Sequence, residues 1–375
     1  MRRSRWTRLF AVVAVVALVG AACGDDDDEA STTETTADAD DGGAAEEEFD
    51  GVVFTATEYE FDAPDEMHAS TVNIRAVNDG AVAHEFALVK LGDDQSREDF
   101  FEEFDAFVAA DFSGPLPTTL SNGFVAPGGG NVQPGGDPIE AEISMSEGNW
   151  VLFCALTDGD TESDEEEGGG GGGDEPSGRA QDEEEGGGGE GGEEEAPLPP
   201  HYQSGMFKEI TVTGDAEPTV PNGTAITAVD YSFEGLDALT DDTNDVVFAN
   251  SAESENLHHL VVTDFGTDLT AKDAESKFAE CLAFFFASED GGGGGTEEPA
   301  GRAQDEGEEE GGGPPPGCDN EDVGEAFVMA PGYGTTFDIS FEAGHTYVFT
   351  CFIGDVEGGP PHAVANDMFK AFTIA

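Results

Sequence analysis

Eight side chains able to bind a soft metal fall in one order, twice: His84, Cys154, His201, Met206, and then His258, Cys351, His362, Met368. Two imidazoles and a thiolate arranged trigonally, with a weak thioether on the axis, make a copper site of the type-1 kind. Imidazole suits copper in either oxidation state, while thiolate and thioether favour Cu(I). A geometry between those preferences lets one electron move with little rearrangement. Taken singly, a buried Cys, His or Met is usually ordinary core. The same four types in the same order twice, in a chain with only 7 His and 5 Cys, weigh against that reading. His259 competes with His258 as the first ligand of the second set. Gly92 and Gly266 lie eight residues beyond His84 and His258, and the alternation His258, Leu260, Val262 matches His84, Phe86, Leu88. His258 is therefore the choice, and His259 is expected to point away into solvent. His68 and His345, at strand starts, read as surface residues.

The elements that must hold these ligands repeat as well. Each half opens with a β-rich segment, Val52–Phe61 and Ala225–Phe233. A strand pair follows, Thr71–Val77 then His84–Leu91, and Asp245–Ala249 then His258–Phe265. One helix follows in each half. Ser96 is an N-cap with Asp99 at N3, ahead of Phe100, Phe101, Phe104, Phe107 and Val108. Thr270 and Asp273 play those parts ahead of Ala274, Phe278, Leu282 and Phe285. Further strands are expected at Ile139–Met145 and Thr335–Phe341. The closing segments match closely: Trp150–Cys154 parallels Tyr347–Cys351, and Met206–Val212 parallels Met368–Ile374. Many short alternating strands with Gly/Pro turns and one helix per unit predict an all-β chain of two tandem β-sandwiches.

On these residues both units resemble cupredoxins, the plastocyanin-like family. In that family the first His opens a strand after an Asn/Gly turn, as Asn78-Asp79-Gly80 precedes His84. The Cys ends the penultimate strand, and the second His and the Met lie on the loop to the last strand. The resemblance implies Greek-key sandwiches with copper, one ion per unit at most. It implies His84, Cys154 and His201 as equatorial ligands with Met206 axial, and His258, Cys351 and His362 with Met368 axial. The chain departs from the family in one respect. Familiar loops put the second His two to four residues after the Cys, whereas ten residues separate Cys351 from His362 and forty-six separate Cys154 from His201. Lengthening a loop from ten to forty-six residues costs only about 1.4 kcal/mol of closure entropy. Rigidity is a separate demand on such a loop.

The remaining sequence sets the context. Arg2, Arg3, Arg5 and Arg8, the apolar run Leu9–Leu18 and Gly20-Ala21-Ala22 make residues 1–22 a secretory signal. The junction resembles a bacterial lipobox, with Gly20 where Leu is usual. Cys23 would then carry lipid, tethering the protein to the outer face of the cytoplasmic membrane or cell envelope through the lipid alone. Residues 23–50 read as a disordered acidic tether. The first unit covers 51–218 with an insert at about 158–199, and the second 219–375 with an insert at about 288–317. Both inserts are Gly/Glu tracts that cannot offset ordering entropy by burial and are expected to be flexible. They share a phrase, Glu175–Glu183 and Glu298–Glu306, best read as duplicated low-complexity sequence rather than a docking motif. Weak Ca²⁺ binding by these acids lacks an ordered ligand cage. Cys281 and Cys318 bracket the second tract and could staple its ends by a disulfide.

The chain of 375 residues carries 13 Lys+Arg against 83 Asp+Glu, a net charge of -70, so no nucleic-acid-binding face can be assembled. A basic partner is compatible with that surface. With 37% hydrophobic residues and 27 Phe the chain can still build a core. A trinuclear copper centre like that of the oxidases related to cupredoxins would need eight His, more than the chain holds, and no hydrolase or phosphate-binding motif occurs. The reading is therefore not an enzyme but an envelope-anchored electron-transfer or copper-carrying protein. Its redox or copper partner is not identified. The alternative is a copper-free structural or interaction module of the same fold.

Overall fold

A computed structural model describes residues 49–110, 114–129, 131–157, 198–243, 245–287, 315, 317–318, 320 and 322–375. The expected signal segment, Cys23 and nearly all of the tether and the two inserts lie outside the described residues. Among the described residues no helix is long and apolar enough to cross a membrane.

The first unit contains β1 (Val52–Ala56), β2 (Phe61–Asp62), β3 (Glu66–His68), β4 (Ser70–Asn78), β5 (His84–Glu85) and β6 (Ala87–Lys90). Helix α1 (Arg97–Ala109) follows, then β7 (Phe124–Val125), β8 (Asn131–Val132), β9 (Ile139–Met145), β10 (Gly148–Phe153) and β11 (Phe207–Thr213). The second contains β12 (Thr224–Val229), β13 (Ser232–Glu234), β14 (Asp245–Asn250), β15 (His258–Asp264), α2 (Ala271–Ala287), β16 (Asp322–Met329), β17 (Gly334–Asp338), β18 (Thr346–Thr350), the one-turn helix α3 (His362–Ala365) and β19 (Phe369–Thr373).

Each unit is a two-layer sandwich. In the first, β2-β1-β4-β9 faces β3-β11-β10-β6-β7; in the second, β13-β12-β14-β17 faces β16-β15-β18-β19. The pairings β1∥β4 and β12∥β14 are parallel, so each pair is joined by a crossover connection rather than a hairpin. Alternation decides which face is inward: Ile74, Ala76 and Asn78 of β4 are buried while the residues between them are not fully so. Strand β10 does not alternate. Trp150–Phe153 are buried throughout, because β10 lies between β6 and β11 and its outer face is covered by α1, with the Phe100 and Phe104 rings 5.2 and 5.4 Å from Phe153.

Helix α1 begins where Ser96 and Asp99 close a capping box: Ser96 Oγ accepts from Asp99 N–H and Asp99 Oδ2 accepts from Ser96 N–H. Thr270 Oγ1 accepts from Asp273 N–H in the same manner ahead of α2. Helix α2 buries Ala274, Phe278 and Leu282 against Phe265, Val348, Ala363 and Ala371. Cys281 of α2 is disulfide-bonded to Cys318.

The two units also share a sheet. Strand β9 pairs antiparallel with β17 at Ile143–Thr335, which joins the two four-stranded layers into one of eight strands. Side chains reinforce the seam. Ser146 Oγ and Tyr333 Oη are 2.6 Å apart and buried, and Thr336 Oγ1 accepts from Glu142 N–H at 2.7 Å.

Candidate metal centre

In the first unit β4 ends at Asn78, whose buried side chain ties the following turn together. Asn78 Nδ2 donates to the carbonyls of Val82 and Val132, each at 2.8 Å, and Oδ1 accepts from Gly80 N–H at 2.8 Å. That turn delivers His84 to β5, which pairs with β8 at His84–Val132. Gly80 is needed for closeness: a Cβ there would lie 3.0 Å from His84 Nε2 and 3.0 Å from the Thr57 backbone. Cys154 follows the last residue of β10. His201 opens a 3₁₀ turn (His201–Ser204) directly after Pro200.

Local hydrogen bonds fix that turn to the end of β10. His201 N–H donates to Leu156 O at 2.9 Å, Tyr202 N–H to Cys154 O at 3.0 Å, and Met206 N–H back to His201 O at 3.1 Å. Tyr202 stacks on Phe101 of α1, 4.7 Å between ring centroids, and its hydroxyl donates to Asp105 at 2.5 Å. Two backbone hydrogen bonds thus tie together the ends of the forty-six-residue stretch between Cys154 and His201.

The second unit reproduces this frame. Asn250 ends β14 and donates to Asn256 O and Met329 O at 2.7 and 2.9 Å. His362 N–H donates to Ile353 O at 2.7 Å, Ala363 N–H to Cys351 O at 2.9 Å, and Met368 N–H to His362 O at 3.1 Å. The extra residue between His362 and Met368 is taken up by an α-helical turn in place of the 3₁₀ turn. Each Met is preceded by a residue with positive φ, Gly205 at 102° and Asp367 at 53°, which folds the chain back toward the His.

These frames bring six donors into two buried triads, His84–Cys154–His201 and His258–Cys351–His362, the only such groups among the described residues. In the first, Nδ1 of His84 and Nδ1 of His201 are 3.2 Å apart, and Cys154 Sγ lies 3.9 and 3.3 Å from them. In the second, Cys351 Sγ lies 3.9 Å from His258 Nδ1 and 3.4 Å from His362 Nδ1. An ion at the centre of a planar triangle, about 2.05 Å from each nitrogen and about 2.3 Å from sulfur, separates its donors by about 3.6–3.8 Å. The observed edges bracket that span, so a single metal ion fits either triad. Met206 and Met368 are fully buried. Each sulfur also receives a backbone donor from the residue after the first His: Glu85 N–H at 3.3 Å and His259 N–H at 3.4 Å.

The electrostatics of the second triad suit a cation. Burial pushes the Cys351 thiol up to about 12, against the pull of the backbone donors on its sulfur. Burial, and then the neighbouring His362, drive His258 down to about 3, with Asp355 opposing. Burial also lowers His362, again with Asp355 opposing. The imidazoles are thus held neutral with lone pairs available, and the thiol needs an incoming positive charge to give up its proton.

His259 is not solvated, contrary to the sequence expectation. It is 7% exposed, and its Nε2 lies 2.9 Å from Glu325 Oε1. Strand β15 is buried on both faces from His258 to Thr263, and a carboxylate on β16 satisfies the imidazole. His68 ends β3 rather than starting a strand and is exposed. His345 is half-buried, with Nδ1 2.8 Å from Asp264 Oδ2.

Sequence reasoning missed several residues of the frame. Pro-Pro-His stands at 199–201 and again at 360–362, and the Pro before each His holds φ at -57° and -51°. The Tyr59 and Tyr231 rings, from equivalent hairpins, stand nearly perpendicular to those of His201 and His362, with centroids 5.3 and 5.1 Å apart. The repeat of these residues between the halves was the available signal. Asp355, which contacts His362 Nε2 at 3.1 Å, has no such signature.

The fold and sites define an all-β protein of two sandwiches, each with one buried two-histidine, one-cysteine candidate centre. No family model matches the chain, and no curated protein matches it. Among solved structures, a dithionite-reduced auracyanin from the photosynthetic bacterium Roseiflexus castenholzii is similar at 17% identity, covering 43% of this chain and 95% of its own, with a TM-score of 0.23. A multicopper oxidase is similar at 11% identity over 86% of this chain and 87% of its own, TM-score 0.18. A copper-containing nitrite reductase from Thermus scotoductus is similar at 10% identity over 86% of this chain and 61% of its own, TM-score 0.18.

Proposed function

We propose that each triad would hold one copper ion, with Met206 and Met368 as further weak thioether ligands, and that the protein passes single electrons or carries copper. The observation that supports this most is the duplication of the whole frame: the same donors, the same backbone hydrogen bonds onto Cys and His, and the same left-handed residue before Met. Copper bound there would supply a one-electron couple. The chain's own part is to hold two imidazoles and a thiol in place before the ion arrives, in a buried site. Lipid on Cys23 would hold the protein at the outer face of the cell envelope, and its acidic surface would favour a basic partner. We assign no catalytic role.

The test uses residues 24–375 expressed without lipid. Added Cu(II) should produce intense visible thiolate-to-copper absorption, and Cys154→Ser and Cys351→Ser should each remove part of it. A colourless protein would overturn the copper reading and leave a structural or interaction module on the cell surface.

A further inference from the structure

The second triad has an outer support that reaches its ligand from the side opposite the cysteine. His362 uses Nδ1 toward Cys351 Sγ, and its other ring nitrogen, Nε2, lies 3.1 Å from Asp355 Oδ1. The same carboxylate oxygen accepts the Tyr231 hydroxyl at 3.0 Å. Asn256 Nδ2 in turn donates to Tyr231 Oη at 3.2 Å, and the Tyr231 ring stands edge-on to the His362 ring at 81°. The Tyr231 hydroxyl is held above its usual range by burial and then by Asp355, so it stays a donor.

Asp355 is itself braced. Its carbonyl accepts from Gly358 N–H at 2.8 Å, and the next residue, Val356, accepts from Leu116 N–H of the first unit at 3.1 Å. The result is a directed chain from Asn256 through Tyr231 and Asp355 to His362. A carboxylate oxygen that already accepts one proton still only accepts, so the hydrogen shared with His362 belongs to Nε2. Nδ1 is then left with its lone pair facing the cysteine.

We infer that Asp355, aimed by Tyr231, is a positioning residue that holds His362 as the Nε2–H tautomer, and that its charge makes the second centre favour Cu(II) over Cu(I). The second clause rests on the copper reading above; the first does not. A carboxylate behind a ligating imidazole raises the basicity of the ligand, and loss of such a partner costs 10–100-fold in metal affinity in other metal sites, of order. More donation from His362 stabilises the more highly charged ion.

The test runs on residues 24–375 and on Asp355→Asn, Asp355→Ala and Tyr231→Phe. In the metal-free protein, imidazole ¹⁵N shifts should give His362 as a single Nε2–H tautomer. That population should be lost in Asp355→Ala and largely kept in Asp355→Asn, whose amide oxygen still accepts. With copper, Asp355→Asn should weaken Cu(II) binding at the second centre by about tenfold, with Cu(I) binding much less affected. A tenfold change in that preference is a rise of about 59 mV in midpoint potential. Absorption dependent on Cys154 serves as the internal control and should not move. A His362 tautomer unchanged in Asp355→Ala would overturn the positioning role. A Cu(II)/Cu(I) preference unchanged in Asp355→Asn would overturn the charge effect. If no copper is taken up, the function proposed above fails, and the metal-free spectra still decide the role of Asp355.

Discussion

Asn78 and Asn250 occupy the same place in the two units, yet their truncation should cost different amounts. Asn78 makes three hydrogen bonds of 2.8 Å, to Val82 O, Val132 O and Gly80 N–H. Asn250 donates two, to Asn256 O and Met329 O, while its Oδ1 has no hydrogen-bond partner. Both side chains are almost wholly buried. Each hydrogen bond lost costs about 1 kcal/mol net, so Asn78→Ala should cost about 3 kcal/mol and Asn250→Ala about 2. Residues 24–375 contain one Trp, Trp150, fully buried in the first unit, so its fluorescence reports that unit during urea unfolding. With a slope of about 2 kcal/mol per molar, Asn78→Ala should lower the midpoint by about 1.5 M. In Asn250→Ala the far-UV circular dichroism transition that the Trp150 signal does not share reports the second unit. The turn before His84 should loosen as well, so Cu(II) uptake at that triad should fall in Asn78→Ala under conditions where the protein is still folded. A loss below about 1 kcal/mol for Asn78→Ala, or equal losses at the two positions, would refute the reasoning, because one stranded group is the smallest effect the burial allows.

Further consequences can be measured directly. Cu(II) affinity at the second triad should rise about tenfold per pH unit between about pH 6.5 and 9: the Cys351 thiol, at about 12, is protonated throughout and must release its proton, whereas both lowered imidazoles are already neutral. A competition titration that shows no pH dependence would contradict this. Replacing residues 158–197 by a short Gly/Ser bridge should leave copper binding at the first triad within about threefold, since closure cost varies only logarithmically with loop length and the anchors at Leu156, His201 and Tyr202 remain. Loss of binding in that variant would show that the tract holds the site. Asp367 sits at a φ of 53°, so Asp367→Ala should destabilise by about 1 kcal/mol while Asp367→Gly should not, as read from thermal melting.

Much of the fold was legible because its signals are local. The alternation in Thr71–Val77, the capping box at Ser96 and Asp99, and the repetition of strand and helix order each depend on residues near one another. The ordered His, Cys, His and Met could be picked out because they are rare and occur twice. Other features depend on partners far along the chain. Pro199-Pro200-His201 and Pro360-Pro361-His362 are plain in the sequence, but their meaning lies in hydrogen bonds to Leu156 O and Ile353 O. His259 read as solvated because alternation tells one face of a strand from the other, not whether the second face is covered. The β9–β17 seam leaves no trace in either strand, since one pair, Ile143–Thr335, sets its register. Asp355 was invisible for a compositional reason: in a chain with 83 acids, a carboxylate is the least distinctive residue.

The hydrogen bond from His201 N–H to Leu156 O has a topological consequence for the first unit. It joins the chain on the two sides of residues 158–197, and β10 and β11 lie paired along Gly148–Phe153 and Phe207–Thr213. Cleavage within 158–197 is therefore expected to leave the β10–β11 pairing in place. Cut there, the protein becomes two fragments, 24–157 carrying His84 and Cys154 and 198–375 carrying His201 and Met206. Their reassembly would bring His84 and Cys154 of one piece to His201 of the other, so copper uptake at the first triad should report the reunion.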